Sequence, residues 1–135
     1  MKKRILLKNT EMSVGDLYKK NGVVIGVMID QKQYVSLQDQ ANYYANWTTA
    51  TSLEKSYQVQ GVGGWRILTK SEWSVIYANK AKINNALKKT GNEIADDWYW
   101  TSTIGTGNGY YAANFKDGTY WSPGSSNRVR LIHEI

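Results

Sequence analysis

Alternation and helical spacing divide this chain into regions of different texture. Asn21-Gly22 separates two apolar-rich arms, and because both central residues of a type I′ turn need positive φ, the dipeptide predicts a hairpin. Its expected strands are Val14 to Tyr18 and Val23 to Ile29. The second arm, Val23-Val24-Ile25-Gly26-Val27-Met28-Ile29, is almost continuously apolar, the pattern of a strand covered on both faces. Gln33 to Leu37 continues the sheet. Ala50, Leu53, Glu54 and Tyr57 follow an i, i+3, i+4, i+7 spacing, which predicts a helix capped by Thr48 or Thr49 and running to about Val59. Gly61, Gly63 and Gly64 end it. Thr69 and Glu72 form a T-x-x-E capping box, in which each side chain satisfies the other residue's backbone N–H. A second helix therefore starts at Lys70 and runs to about Asn79, with Trp73, Ile76 and Tyr77 on one stripe. Ile83 and Leu87 predict further helical turns before Thr90-Gly91.

After Asp97 the chain turns to Tyr, Trp, Thr, Ser, Asn and Gly. Turn signals at Gly105 to Gly109, Asp117-Gly118 and Pro123-Gly124 delimit four short strands: Trp98 to Thr103, Tyr110 to Lys116, Thr119 to Ser122 and Asn127 to His133. Helices followed by a strand meander give an α+β chain, two main helices around a twisted antiparallel sheet. No internal repeat or linker interrupts it. At 135 residues the chain suits a single domain, residues 1–135, large enough to bury roughly two thirds of its unfolded surface. Residues 1–12 are expected to be a mobile or edge-strand N-terminus.

Composition changes this picture in three places. Six Trp and ten Tyr against one Phe mean that most of the aromatic surface carries a polar atom, which suits half-wet positions and binding surfaces as well as cores. The lack of cysteine removes disulfides, thiolate catalysis and cysteine-held zinc. The net charge of +6 would favour anionic partners if it converged on one face. Instead the lysines and arginines scatter, and no helix-turn-helix, finger or RNA-recognition pattern accompanies them, so no nucleic-acid partner is expected. The opening Met1-Lys2-Lys3-Arg4-Ile5-Leu6-Leu7-Lys8 has an apolar run of three residues, too short for a secretion signal. Neither a signal peptide nor membrane insertion is expected. Cytoplasmic, virion-associated and surface-module settings all stay open.

Candidate chemistry is sparse. His133 is the only histidine, placed near the end of an apparent strand without a nucleophile setting, and reads as peripheral. Asp96-Asp97 is the best carboxylate pair, yet sequence neighbours point apart, so turn and cap roles are expected. The Gly105-Thr106-Gly107-Asn108-Gly109 cluster lacks a P-loop lysine and joins two strands, so it reads as a hairpin loop. Trp65, Trp73, Trp98 and Trp100 are the expected core aromatics. In Tyr110-Tyr111-Ala112-Ala113-Asn114-Phe115, an inward Phe115 brings Tyr111 and Ala113 with it and leaves Tyr110, Ala112 and Asn114 on the other face. With Asn108, Tyr120, Trp121, Ser122, Ser125, Ser126 and Asn127 they predict an exposed Tyr/Asn/Ser surface, a composition like that of antibody paratopes.

The run Gly63-Gly64-Trp65-Arg66-Ile67-Leu68-Thr69-Lys70-Ser71-Glu72-Trp73 resembles the Trp-Arg-Leu-Pro-Thr-x-x-Glu-Trp signature of bacterial domains with a C-type-lectin-like fold. Tyr99-Trp100-Thr101-Ser102-Thr103 resembles their Tyr-Trp-Ser-Ser-Thr landmark. Together with Val14-Gly15-Asp16, Asn21-Gly22, Ala50, Ile83-Asn84-Asn85-Ala86-Leu87, Phe115, Gly118 and Val129-Arg130, the order of landmarks is similar to the Fibrobacter succinogenes major paralogous domain family, over about residues 14 to 132. Ile67-Leu68 departs from that family's usual Leu-Pro. Formylglycine-generating enzymes share the landmark but act through copper-bound cysteines, which this chain lacks. The Glu-Pro-Asn, Gln-Pro-Asp and Trp-Asn-Asp calcium motifs of animal C-type lectins are also missing, so calcium-independent binding without a cofactor or metal is expected. The variable proteins of diversity-generating retroelements, often phage encoded, are similar in fold and vary Tyr, Asn, Ser or Asp positions in the C-terminal part. The resemblance implies a non-catalytic module binding a protein or glycan on a cell surface. Alternatives are a structural subunit of a virion or surface assembly, in either case of open oligomeric state, and a carbohydrate-active enzyme using Asp96 or Asp97.

Overall fold

The computed structural model describes residues 12–40, 44–107, 109–123 and 125–135; the expectation for residues 1–11 lies outside the described residues. Met12, at their border, packs against the core. Strand β1 (Leu17–Lys20) turns through Asn21 and Gly22, at φ 53° and 78°, into β2 (Val23–Met28). The hairpin predicted from Asn-Gly is therefore present, with its first strand displaced towards the turn from the expected Val14 to Tyr18 and a register irregularity at Tyr18/Lys19. β2 pairs with β3 (Gln33–Ser36). Residues Ile25 to Ile29 are buried, as the apolar run requires, but Val23 at the start of that run is exposed and Val24 half-buried.

Helix α1 (Trp47–Ser56) is capped by Asn46, whose Oδ1 accepts from the Thr49 N–H at 2.8 Å. The cap therefore lies two residues before the earlier of the two expected threonines, and the helix stops at Ser56. After the short β4 (Arg66–Ile67), helix α2 (Lys70–Ala78) begins at Thr69 with both halves of the capping box formed. Helix α3 (Lys80–Thr90) follows directly and buries Ile83 and Leu87. Among the described residues the helices number three where two main ones were expected.

Strands β5 (Trp98–Ile104), β6 (Tyr110–Asn114) and β7 (Thr119–Trp121) form a meander, and β8 (Leu131–Glu134) returns to the first sheet. The single twisted sheet expected from the sequence is in fact two antiparallel sheets, a five-stranded one in the order β1-β2-β3-β8-β4 and a three-stranded one in the order β5-β6-β7. The result is a small α+β domain.

Two apolar clusters fill it. One gathers Val27, Ile29, Val35, Leu68, Trp73, Ile76, Ile83, Leu87, Tyr99, Phe115 and Ile132; the other gathers Ile25, Met28, Tyr34, Ala50, Trp65, Ile67, Trp100 and Leu131. A seam at Asn127–Arg130 holds the sheets together. Arg128 donates its N–H to the Trp98 carbonyl and accepts from Trp100 N–H, each at 3.0 Å, while Asn127 exchanges two backbone hydrogen bonds with Ala45. Arg130, fully buried, donates to the Ser36 and Asn92 carbonyls at 3.0 and 2.6 Å and to Asp39 at 3.0 Å. Burial pulls its guanidinium below the usual arginine value against the pull of Asp39. The same carboxylate accepts from the Tyr99 hydroxyl, whose own ionisation burial pushes up.

Candidate functional site

The face of the three-stranded sheet decides which C-terminal side chains can meet. Residues paired across an antiparallel ladder share a face. Trp98 pairs with Asn114 and Asn114 with Thr119, while Trp100 pairs with Ala112 and Ala112 with Trp121. One face therefore carries Trp98, Trp100, Tyr110, Ala112, Asn114, Thr119 and Trp121. Ala113 pairs with both Tyr99 and Tyr120, so Tyr120 belongs to the opposite face with Phe115.

That placement corrects the expected surface. Tyr120 is half-buried against the core and its hydroxyl donates to the Lys70 carbonyl at 3.1 Å and meets Ser74 Oγ at 2.5 Å. The Lys70 ammonium lies 4.8 Å from its ring centroid and 4.2 Å from that of Tyr111. Tyr120 therefore braces α2 and does not join Tyr110.

On the other face, helix α1 covers part of the sheet. Trp47 stacks on Tyr110 with ring centroids 3.8 Å apart and meets Trp100 edge-on at 5.2 Å. Trp100 is buried and its indole N–H donates to the Ala45 carbonyl at 2.7 Å. Beyond the reach of Trp47 the face stays open. There Trp98, Ala112 and Trp121, with Pro123, Ser125 and Asn127 from the following loop, line a cleft of about 400 Å³. Trp121 is 64% exposed. None of the six carries an ionisable group.

The expected site residues thus separate into groups. Trp121, Ser125 and Asn127 meet at the cleft, and Ser126 is exposed beside them. Ser122 ties two loops together, its hydroxyl accepting from Thr106 N–H at 3.0 Å. Asn114 accepts from Lys116 N–H at 2.9 Å within a turn. Tyr110 lies half-buried under Trp47. Asn108 lies outside the described residues. Asn127 is not exposed as expected: it is 5% accessible because its backbone is paired with Ala45. Its side-chain Nδ2 is buried with no hydrogen-bond partner among the described residues.

Trp98 is the functional candidate that sequence reasoning assigned to the core. Its partner in alternation, Trp100, is sealed, but Trp98 is only half-buried and forms a cleft wall. The available signal was its period-two spacing from Trp100; what could not be read was where α1 stops covering that face. Ala112, expected on the exposed surface, lines the cleft but is 2% accessible, and Pro123, read from the sequence only as part of a turn, was missed for the same reason.

The remaining chemistry is occupied. Asp97 accepts from the Tyr44 hydroxyl at 2.6 Å, Arg128 Nε at 2.9 Å and Trp98 N–H at 2.7 Å. Burial would raise its carboxyl, but these donors outweigh it and hold the group below the usual value. Asp96 pairs instead with Lys80 at 2.6 Å, so the two carboxylates serve different partners. His133 packs between the Tyr34 and Trp65 rings with Nε2 2.8 Å from the Gly63 carbonyl. Gly105 to Gly109 closes the β5–β6 hairpin through a 2.8 Å bond from Gly105 N–H to the Gly109 carbonyl. Among the described residues no three His, Cys, Asp or Glu side chains gather as a metal site, and no helix is long and apolar enough to cross a membrane.

No family model matches the chain, and no curated protein matches it.

Proposed function

We propose that this chain is a non-catalytic binding module of C-type-lectin-like fold that presents its C-terminal aromatic and polar surface to a protein or glycan on a cell surface. The observation that carries the reading is the open cleft beside Trp121. Trp121 leaves most of its indole in water, and it walls a concavity of ligand size, aromatic with a few polar groups. Aromatic anchors in such positions supply most of the energy of recognition. The landmarks around Trp65 to Trp73 and Tyr99 to Thr103 support the fold assignment, and the Tyr, Asn and Ser content supports kinship with sequence-diversified binders.

The engaged state of Asp96 and Asp97 favours binding over hydrolysis. A general acid needs a proton near neutral pH, whereas Asp97 is held in its ionised form by three donors.

The test is direct binding of the fluorescently labelled chain to intact bacterial cells of several envelope types. Trp121→Ala should abolish labelling while the melting temperature stays within about 2 °C, since exposed substitutions cost little. Labelling equal to that of the unaltered chain would remove the cleft from the account.

A further inference from the structure

We infer that the Trp98–Trp121 cleft takes a neutral sugar ring, bound without calcium, and that Asn127 is its hydrogen-bonding floor; the inference rests on the binding-module reading and names its ligand class. Three features converge. First, the lining of Trp98, Ala112, Trp121, Pro123, Ser125 and Asn127 holds no charge, in a chain of net charge +6. A charged ligand would be desolvated there without a counter-charge, which costs more than it returns. The ligand is uncharged.

Second, the cleft holds polar groups that the protein itself leaves unengaged. The indole nitrogens of Trp65, Trp73 and Trp100 each donate to a backbone carbonyl, whereas those of Trp98 and Trp121, like that of Trp47 outside the lining, donate to no acceptor among the described residues. Asn127, a residue of the lining, has a side-chain Nδ2 that is closed off from solvent and without an acceptor among the described residues. Buried amides are nearly always satisfied, and one left alone costs stability. A half-turn of its amide exchanges Oδ1 and Nδ2, so whichever position meets a ligand can carry a donor or an acceptor. The Ser125 hydroxyl is likewise both donor and acceptor.

Third, the ligand must offer a flat apolar face to Trp121 and polar atoms at its rim. A pyranose ring does both, with C–H groups on one face and hydroxyls around its edge that donate or accept as required. An extended peptide matches less well, because its backbone donors and acceptors alternate in fixed positions.

The probes are maltohexaose, cellohexaose, mannohexaose and chitohexaose, titrated calorimetrically and by tryptophan fluorescence in buffer containing EDTA. At least one should bind, and Trp121→Ala should weaken it about tenfold or more. Asn127→Leu separates binding from architecture. Replacing an unsatisfied amide by an apolar group of similar shape should leave the melting temperature equal or higher while also weakening the sugar about tenfold. A structural role would instead lower the melting temperature. Should Asn127→Leu fail to fold, Ser125→Ala at an exposed position supplies the polar arm, with a smaller loss of affinity.

No binding of any of the four at about 1 mM, the weak end of specific recognition, or binding indifferent to Trp121→Ala, overturns the inference. Its failure is separable from that of the module itself. Cell labelling that depends on Trp121, survives periodate oxidation of the glycans and is lost on protease treatment would leave a binding module with a protein ligand. Loss with periodate and persistence after protease supports the sugar. Absence of both cell labelling and oligosaccharide binding removes both readings.

Discussion

Glu72 satisfies four donors with two oxygens: Arg66 Nη1 at 2.8 Å and Nη2 at 2.6 Å, Gln33 Nε2 at 2.6 Å, and the Thr69 N–H at 2.8 Å. Burial would raise its carboxyl, yet these bonds outweigh it and hold the group at about 2 against an ordinary 4.5. A carboxylate depressed in this way stabilises the fold fully above its unfolded value of 4.5, and the contribution falls away as pH drops towards about 2. Arg66 is a third exposed, so water screens part of the pair, and about 2 kcal/mol is the expected contribution. Urea denaturation of Glu72→Gln should show that loss at pH 7 and a gap that narrows below pH 4.5. Arg130 poses the opposite problem, a cation fully out of water. Replacing it with methionine strands Asp39 with one arginine fewer and leaves the Ser36 and Asn92 carbonyls without their donor. A cost of about 3 to 5 kcal/mol is expected, measured by the same denaturation.

At the scale of elements, α1 decides how much of the β5–β7 face stays open, because Trp47 in its first turn covers Trp100 and Tyr110. Asn46→Ala should cost about 1 kcal/mol through the lost cap, and Trp47 should loosen with it, visible as a redder tryptophan emission before global unfolding. The start of α2 was legible in the sequence, since a capping box is built from residues three apart. The start of α1 was not: Asn46, Thr48 and Thr49 are all good caps, and local chemistry alone does not choose among them. The face of Tyr120 could have been read. A two-residue turn at Asp117-Gly118 would pair Tyr120 with Phe115, and the observed four-residue loop pairs it with Ala113; both place it on the Phe115 side. The burial of Asn127 had no local signal, because it comes from pairing with Ala45, 82 residues earlier in a chain of 135. The cleft was half legible on these terms: its aromatic and polar composition stood in the sequence, while its boundaries depend on contacts far apart in the chain.

On the scale of the whole molecule, the lysines of α3 and Lys70 stand apart from the cleft. Lys80, Lys82, Lys88 and Lys89 lie along α3, which packs against β2 and α2, and Lys70 sits over Tyr111 and Tyr120 on the side of the meander opposite Trp121. The cleft itself is lined by uncharged side chains. Two kinds of association therefore carry different salt signatures. Binding that used the +6 net charge on a polyanion would release counterions and fall steeply with salt, by orders of magnitude between about 50 and 200 mM for six or more phosphate contacts. Binding through Trp98, Trp121 and Asn127 depends on apolar contact and neutral hydrogen bonds, which salt screens little. If the chain binds through the cleft as proposed, its affinity for labelled cells should accordingly change less than about threefold between 50 and 500 mM NaCl, a range over which surface ion pairs are largely screened. Fluorescence titration of labelled cells across that range measures it. A tenfold or greater weakening would place recognition on charged side chains and take it away from the tryptophan cleft.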